Sequence, residues 1–255
     1  MKHFINVCCQ VNLRYDFMEG FIGGMEEYHK RNFSIYIRCR HQFMTDNMRV
    51  LLNDPDQFLD NPQTHIIQNN FKSTLGIVPM DGRKIVIKRH NYKSVWHRLR
   101  RYFRPTRAAK NWAMSKILLD NQIWVPSPVA YVETRIGLLR GKSFFIYEYV
   151  EGIMGDDYFK QNINAPDRVE QGIDLVLELI KLIKKIGFIH GDIRMSNLIF
   201  TDDRICLLDL DDIKPITWYQ VNRVKTRDVR GLKKDIVYNI PPALQASFLQ
   251  RLEAL

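Results

Sequence analysis

Cysteine is scarce in this chain of 255 residues, and the four present are poorly spaced for either of their usual structural roles. Cys8 and Cys9 are adjacent while Cys39 and Cys206 stand alone. That pattern gives neither a zinc spacing nor a disulfide framework and points to a reducing cytoplasm. Long apolar runs are missing as well. Charge interrupts each of them well short of the roughly 20 residues a membrane-spanning helix needs, so no transmembrane helix is expected. The first ten residues hold one Lys and a short apolar run broken by Asn6, with no small-residue cleavage site, and are not read as a signal peptide. The seven histidines show no paired metal spacing, so no structural metal is expected. Low-complexity tracts are absent too. With 45% hydrophobic residues, the chain should be folded throughout, as one sizeable core or two small lobes.

Acid is absent from one stretch in particular. From Lys88 to Lys110 run nine basic residues, Lys88, Arg89, Lys93, Arg98, Arg100, Arg101, Arg104, Arg107 and Lys110, with no Asp or Glu among them. This segment nearly accounts for the net charge of +10. Tyr92, Trp96, Tyr102, Phe103 and Trp112 are interleaved with it. The mixture suits a surface that meets phosphates beside apolar groups, so anionic lipid and nucleic acid both fit. A solvated basic helix face is the plain alternative.

What the chain does contain is His190-Gly191-Asp192, then Asn197 five residues after that Asp, then Leu208-Asp209-Leu210-Asp211 twelve residues further on. In phosphoryl transfer from ATP, a loop Asp takes the proton of the acceptor hydroxyl, an Asn on the same loop binds a metal ion, and a later Asp holds the Mg²⁺ bridging the phosphates. The order, the spacing and the apolar frame agree with that use. Leu198-Ile199-Phe200 and Ile205-Cys206-Leu207-Leu208 read as two short buried strands joined by Thr201-Asp202-Asp203-Arg204, a hairpin that places Asn197 and Asp209 at neighbouring open ends. Two oxygen ligands meeting there suit a hard cation. The alternative is that Asp192 and Asn197 are turn residues and that Asp209, Asp211 and Asp212 form an exposed acidic loop.

Residues 1–65 carry no readable motif beyond turns at Asp54-Pro55-Asp56 and Asn61-Pro62, and are read as an N-terminal extension of unknown role. Residues 66–150 show apolar stretches at Ile66-Ile67 and Gly76-Ile77-Val78, a turn at Asp81-Gly82, and a strand Lys84-Ile85-Val86-Ile87-Lys88. A helix over 107–120 follows, with Ala108, Trp112, Ser115, Leu118 and Leu119 near one face. A hairpin over 129–150 comes next, turning near Arg140-Gly141-Lys142. In residues 151–255 the pattern becomes helical. Pro166 opens a long amphipathic helix over 167–186, its acids towards the start, Lys181, Lys184 and Lys185 near the end, and Gly187 closing it. Residues 227–234 are a further basic helix candidate. The expected fold is α+β and two-lobed: an N-terminal antiparallel sheet with one helix, a linker, and a mainly helical C-terminal lobe, with ATP in the cleft.

Residues 50–235 resemble the lipopolysaccharide kinase family, whose bacterial members phosphorylate Kdo or heptose sugars of the lipopolysaccharide inner core within a small protein-kinase-like fold. The resemblance rests on Asp54-Pro55, Val86-Ile87-Lys88, Arg107-Ala108 with Trp112 one turn on, Val125-Pro126-Ser127-Pro128, His190-Gly191-Asp192 to Asn197, and Leu208-Asp209-Leu210-Asp211. It implies Lys88 as the strand lysine that pairs with the ATP phosphates, Asp192 as base, Asn197 and Asp209 as Mg²⁺ ligands, and His190 as a brace of the loop. It further implies Gly76 as the glycine of the phosphate-covering loop 72–76, and Glu148 to Glu151 as the linker whose backbone binds adenine, through Glu148 and Val150. Asn111 departs from the pattern, because the helix Glu that would pair with Lys88 is due at that position, and no Glu occurs between His97 and Val132.

The leading expectation is therefore an ATP- and Mg²⁺-dependent kinase of a lipid-linked sugar acceptor. It would act as a monomer at an anionic membrane surface, on the cytoplasmic face of the inner membrane. A kinase of a soluble molecule, akin to aminoglycoside or choline kinases, is an alternative in the same fold. A pseudokinase binding module, motivated by Asn111, is another from a different class. Nucleic acid as partner rests on charge alone.

Overall fold

The computed structural model describes residues 26–91, 105–216 and 221–254. Most of the basic aromatic stretch, with Tyr92, Trp96, Tyr102 and Phe103, lies outside the described residues, as do Cys8, Cys9 and the first ten positions. The chain divides into two compact units. Among the described residues, one is built from residues 26–116 together with 126–149, and the other from 117–125 and 150 onward.

In the first unit, seven strands form one antiparallel sheet: β1 (Glu27–Arg31), β2 (Ile35–Arg40), β3 (His65–Asn69), β4 (Ser73–Met80), β5 (Arg83–His90), β6 (Pro128–Ile136) and β7 (Leu139–Glu148), in the order β1-β2-β6-β7-β5-β4-β3. Strands β5, β6 and β7 are central and carry apolar side chains on both faces, which is why they read as near-continuous hydrophobic runs. On one face, Ile37, Cys39, Ile85, Ile87, Val132, Phe144 and Ile146 pack with Met48, Leu51 and Leu52 of α1 (Asp46–Asn53) and Leu59 of α2 (Pro55–Leu59). On the other, Tyr131 and Phe145 receive Ala108 and Trp112 of α3 (Arg107–Asp120). Thr106 caps α3, its hydroxyl accepting from the Ala109 N–H at 3.1 Å and donating to Glu133 at 2.7 Å. Glu27 anchors α3 further, binding both Arg38 of β2 and Lys116 of α3.

Residues 27–40, in which the sequence showed no motif, thus supply two strands of this sheet. The hairpin of β6 and β7 turns earlier than expected, at Gly137-Leu138, with Gly137 at φ +60°, while Arg140-Gly141-Lys142 already lies in β7. Gly141 is needed there because a Cβ would collide with the Thr134 hydroxyl.

The second unit holds β8 (Ile153–Met154), α4 (Gly155–Gln161), α5 (Pro166–Lys185), β9 (Phe188–Ile189), β10 (Leu198–Phe200), β11 (Ile205–Leu207), β12 (Lys214–Pro215), α6 (Val221–Asn239) and α7 (Pro242–Glu253). Val169, Ile173, Val176, Leu177, Ile180 and Ile183 form the buried stripe of α5 at helical spacing. Each such side chain stabilises by roughly 2 kcal/mol, so packing rather than propensity holds this helix. Tyr158 of α4 stacks on Phe200 of β10 at 4.3 Å, and Phe159 meets the same ring edge-on, which fixes β10 from below. Cys39 in the first unit and Cys206 in the second are both buried, and burial pushes each thiol up to about 12. Among the described residues no helix is long and apolar enough to cross a membrane.

Candidate active site

The chain leaves α5 through Gly187, forms β9, and enters the His190-Gly191-Asp192 loop. Gly191 has φ +84°, a left-handed conformation that side chains resist, and a Cβ there would stand 3.0 Å from the Asp212 carbonyl. His190 is fully buried, with Nε2 3.2 Å from the Leu208 carbonyl, so it ties the loop to the residue preceding Asp209. A short 3-10 turn over Met195–Asn197 then leads into β10.

Strands β10 and β11 pair as a hairpin through Leu198↔Leu207 and Phe200↔Ile205, closed by the Thr201 N–H donating to the Arg204 carbonyl at 3.0 Å. One further rung follows, the Leu208 N–H donating to the Asn197 carbonyl at 2.8 Å. Asn197 and Asp209 therefore emerge side by side at the open end. The Asn197 amide donates through Nδ2 to the Asp192 carbonyl at 3.0 Å, which turns its Oδ1 the other way. Asp209 itself adopts φ +52°, ψ +74°. A left-handed Asp is strained by about 1 kcal/mol, and such strain persists where surrounding structure over-determines it. Here buried Leu210 and Ile213 pin the following turn. The carboxylates of Asp192 and Asp209 are exposed on this buried frame.

One acid that the sequence reading missed supports the loop. Asp235 of α6 is nearly buried and takes Arg194 in a forked pair at 2.8–3.0 Å, together with the Met195 backbone N–H at 2.8 Å. Asp156 of α4 accepts from Asn239 at 2.9 Å. Its carboxyl is held above the ordinary value, first by burial and then by the nearby charge of Asp235. Gly152 and Gly155 bring residues 152–155 against β10 and Met195 so closely that side chains there would overlap backbone oxygens.

In the sheet unit, Lys88 is buried on β5 and shares its row with Phe145 and Tyr131, the two residues on which α3 rests. Asn111 is buried on that helix. Glu133, the buried acid of the same sheet face, is engaged by Thr106, by Arg135 at 2.6 Å and by Arg140 at 3.9 Å. Gly76 does not lie in a loop: it sits within β4, where a Cβ would strike Leu59 and Thr64, and the β3–β4 turn is residues 70–72 instead. The Glu148 side chain pairs with Arg83 at 2.8 Å, and the N–H groups of Glu148 and Tyr149 donate to the Ser127 and Lys84 carbonyls. Val150 follows as the first residue of the second unit's long segment.

Residues 57–251 match the family described as lipopolysaccharide kinase (Kdo/WaaP). The chain belongs to that family. Among curated proteins, this Kdo/WaaP family member is similar to a probable serine/threonine-protein kinase, YbdM, of Bacillus subtilis (strain 168), 26% identical over 130 residues that make up 49% of this chain and 50% of the relative. The chain thus spans about half the length of that relative. Among solved structures it is similar to WaaP in complex with acyl carrier protein, with a TM-score of 0.53 and 17% identity, covering 82% of this chain and 86% of the other. That likeness confirms the kinase-like α+β fold.

Among the described residues no group of three or more His, Cys, Asp or Glu could hold a metal ion by itself. The donor set of this Kdo/WaaP member still fits Mg²⁺. One carboxylate from Asp209 and one amide oxygen from Asn197 are the sparse protein share that Mg²⁺ takes when phosphates and water complete its shell.

Proposed function

We propose that the chain is an ATP-dependent kinase that phosphorylates a sugar hydroxyl, of Kdo or heptose, in the lipopolysaccharide inner core. The observation that carries this reading is the hydrogen-bonded convergence of Asp192, Asn197 and Asp209 on one hairpin and loop. Asp192 accepts the proton of the acceptor hydroxyl as its oxygen bonds to the γ-phosphorus and the bond from that phosphorus to ADP breaks. Asn197 Oδ1 and Asp209 hold Mg²⁺, which when bound offsets the charge on the phosphates. Lys88 pairs with those phosphates as a point charge. The turn 70–72, rather than Gly76, covers them, and the backbone of Glu148 and Val150 meets adenine. The acceptor is lipid-linked and anionic, in keeping with the net charge of +10, and places the enzyme at the cytoplasmic face of the inner membrane.

Transfer of phosphate from ATP to purified inner-core acceptors is the direct test. Wild type should phosphorylate a Kdo- or heptose-bearing acceptor, and Asp192→Asn should lower kcat by at least about a hundredfold with little change in ATP affinity. No transfer to any such acceptor would end this reading. A binding module without transfer is the second reading, favoured by Asn111, buried on α3 at the position where the family pattern has a Glu. ATP titration separates the two, because a kinase needs Mg²⁺ for tight binding and a module that ignores the metal does not.

A further inference from the structure

We propose that two hairpin tips of the sheet unit form a wedge that enters the headgroup region of an anionic lipid bilayer. The wedge is made of Phe33 between β1 and β2, and of Ile136 and Leu138 at the turn between β6 and β7; these side chains are 72%, 61% and 71% exposed. The two turns are joined to each other. Gly137 N–H donates to the Phe33 carbonyl at 2.8 Å and Arg135 N–H to the Ser34 carbonyl at 2.7 Å. Asn32 holds the first turn, its Oδ1 accepting from the Ser34 and Ile35 N–H groups at 2.9 and 2.8 Å. The exposure is therefore built into a rigid ledge, and large apolar side chains grouped at one protruding edge mark a contact surface.

Charge selects the partner. Arg31 is exposed at the end of β1, Arg140 opens β7 opposite Arg135, and Arg135 lies over the Tyr36 ring at 4.5 Å. The Arg135 side chain is itself buried and bonded to the buried Glu133, so the cationic excess of the ledge rests on exposed Arg31 and on the partly exposed Arg140. Apolar tips backed by arginines match a bilayer whose acyl region lies beneath anionic phosphates. Three side chains on a convex tip are also far too small for a stable protein interface, which buries about 800 Å² per partner. The inference deepens the proposed function and rests on it for its purpose, since a lipid-linked acceptor would be reached from such a surface.

The test is co-sedimentation of the full chain with vesicles of phosphatidylcholine alone and of phosphatidylcholine with phosphatidylglycerol. Wild type should bind the anionic vesicles, and the double substitution Phe33→Ser, Leu138→Ser should weaken that binding at least about tenfold. Its thermal melting and its phosphorylation of a soluble, lipid-free acceptor should be unchanged, since both side chains face outward. Arg31→Gln should weaken binding to the anionic vesicles and leave the phosphatidylcholine result unaltered. Anionic vesicles binding the double variant as well as wild type would overturn the proposal. So would conversion of a wild-type dimer to a monomer with vesicle binding intact, which would make the tips a protein contact. Lost vesicle binding in a chain that phosphorylates no acceptor would uphold the wedge and reject the kinase reading, and the reverse pattern would do the opposite.

Discussion

Asp235 takes three hydrogen-bond donors from the loop that carries Asp192, two on Arg194 and one on the Met195 backbone, from a position 40 residues away in sequence. Asp235→Ala removes an acceptor from a buried backbone N–H and a partner from a half-buried guanidinium, so it should destabilise the second unit by about 3 kcal/mol. It should also lower kcat more than it raises the KM for ATP, because it loosens the loop without touching the nucleotide contacts assigned above. Asp235→Asn, which keeps an oxygen for Met195, should recover part of both losses, and recovery of melting without recovery of kcat would show a structural role alone. At this scale local geometry was legible: the hairpin that sets Asn197 beside Asp209, close after the Asp192 loop, could be read from spacing. Asp235 could not, because in sequence it is one acid ending a basic helix, and only folding shows that Arg194 and Met195 need it. Gly76 misled for a related reason, its use being the close approach of Leu59 and Thr64 rather than a turn.

Among the elements, α3 and α5 were predicted to within a residue because their apolar positions repeat at helical spacing and Gly187 and the lysines mark an end. Strands β1 and β2 were not. They carry Glu27, Arg31, Arg38 and Arg40 and turn through Asn32 without a glycine, so neither alternation nor a hairpin dipeptide betrays them. Their charges make sense only in pairs. Burial pushes the Glu27 carboxyl up, but hydrogen bonds from Lys116 and Arg38 outweigh it and hold the group below its ordinary 4.5. A carboxyl that binds its proton less tightly folded than unfolded stabilises fully above that value, and the contribution is lost as pH falls through the lowered folded-state pKa. Glu27→Gln should therefore cost about 2 kcal/mol near neutral pH. In denaturation at stepped pH, the gap between wild type and variant should narrow only below pH 4.5; a gap independent of pH would show that packing, not charge, holds α3 to β1 and β2.

For the molecule as a whole, the α+β character and the passage from a sheet to a helical segment near residue 150 were legible from the change in pattern along the chain, and the family match from 57 to 251 runs through both units. The position of the β6–β7 turn was less so, because Gly141 and Gly137 look alike in sequence and only Thr134 decides between them. The two units also differ in what holds them. The sheet unit depends on Glu27 and its partners, the helical one on the α5 stripe and Asp235. The two buried thiols, one in each unit, turn this division into something that can be timed. With Cys8 and Cys9 replaced by Ser, a thiol-directed reagent should leave the native chain unmodified, since thiols held near 12 are scarcely ionised and are shielded as well. Along a urea gradient, modification of Cys39 should then date the opening of the sheet and that of Cys206 the opening of the helical unit. Glu27→Gln should advance only the first clock and Asp235→Ala only the second; both clocks advancing together in either variant would mean that the chain unfolds as one body.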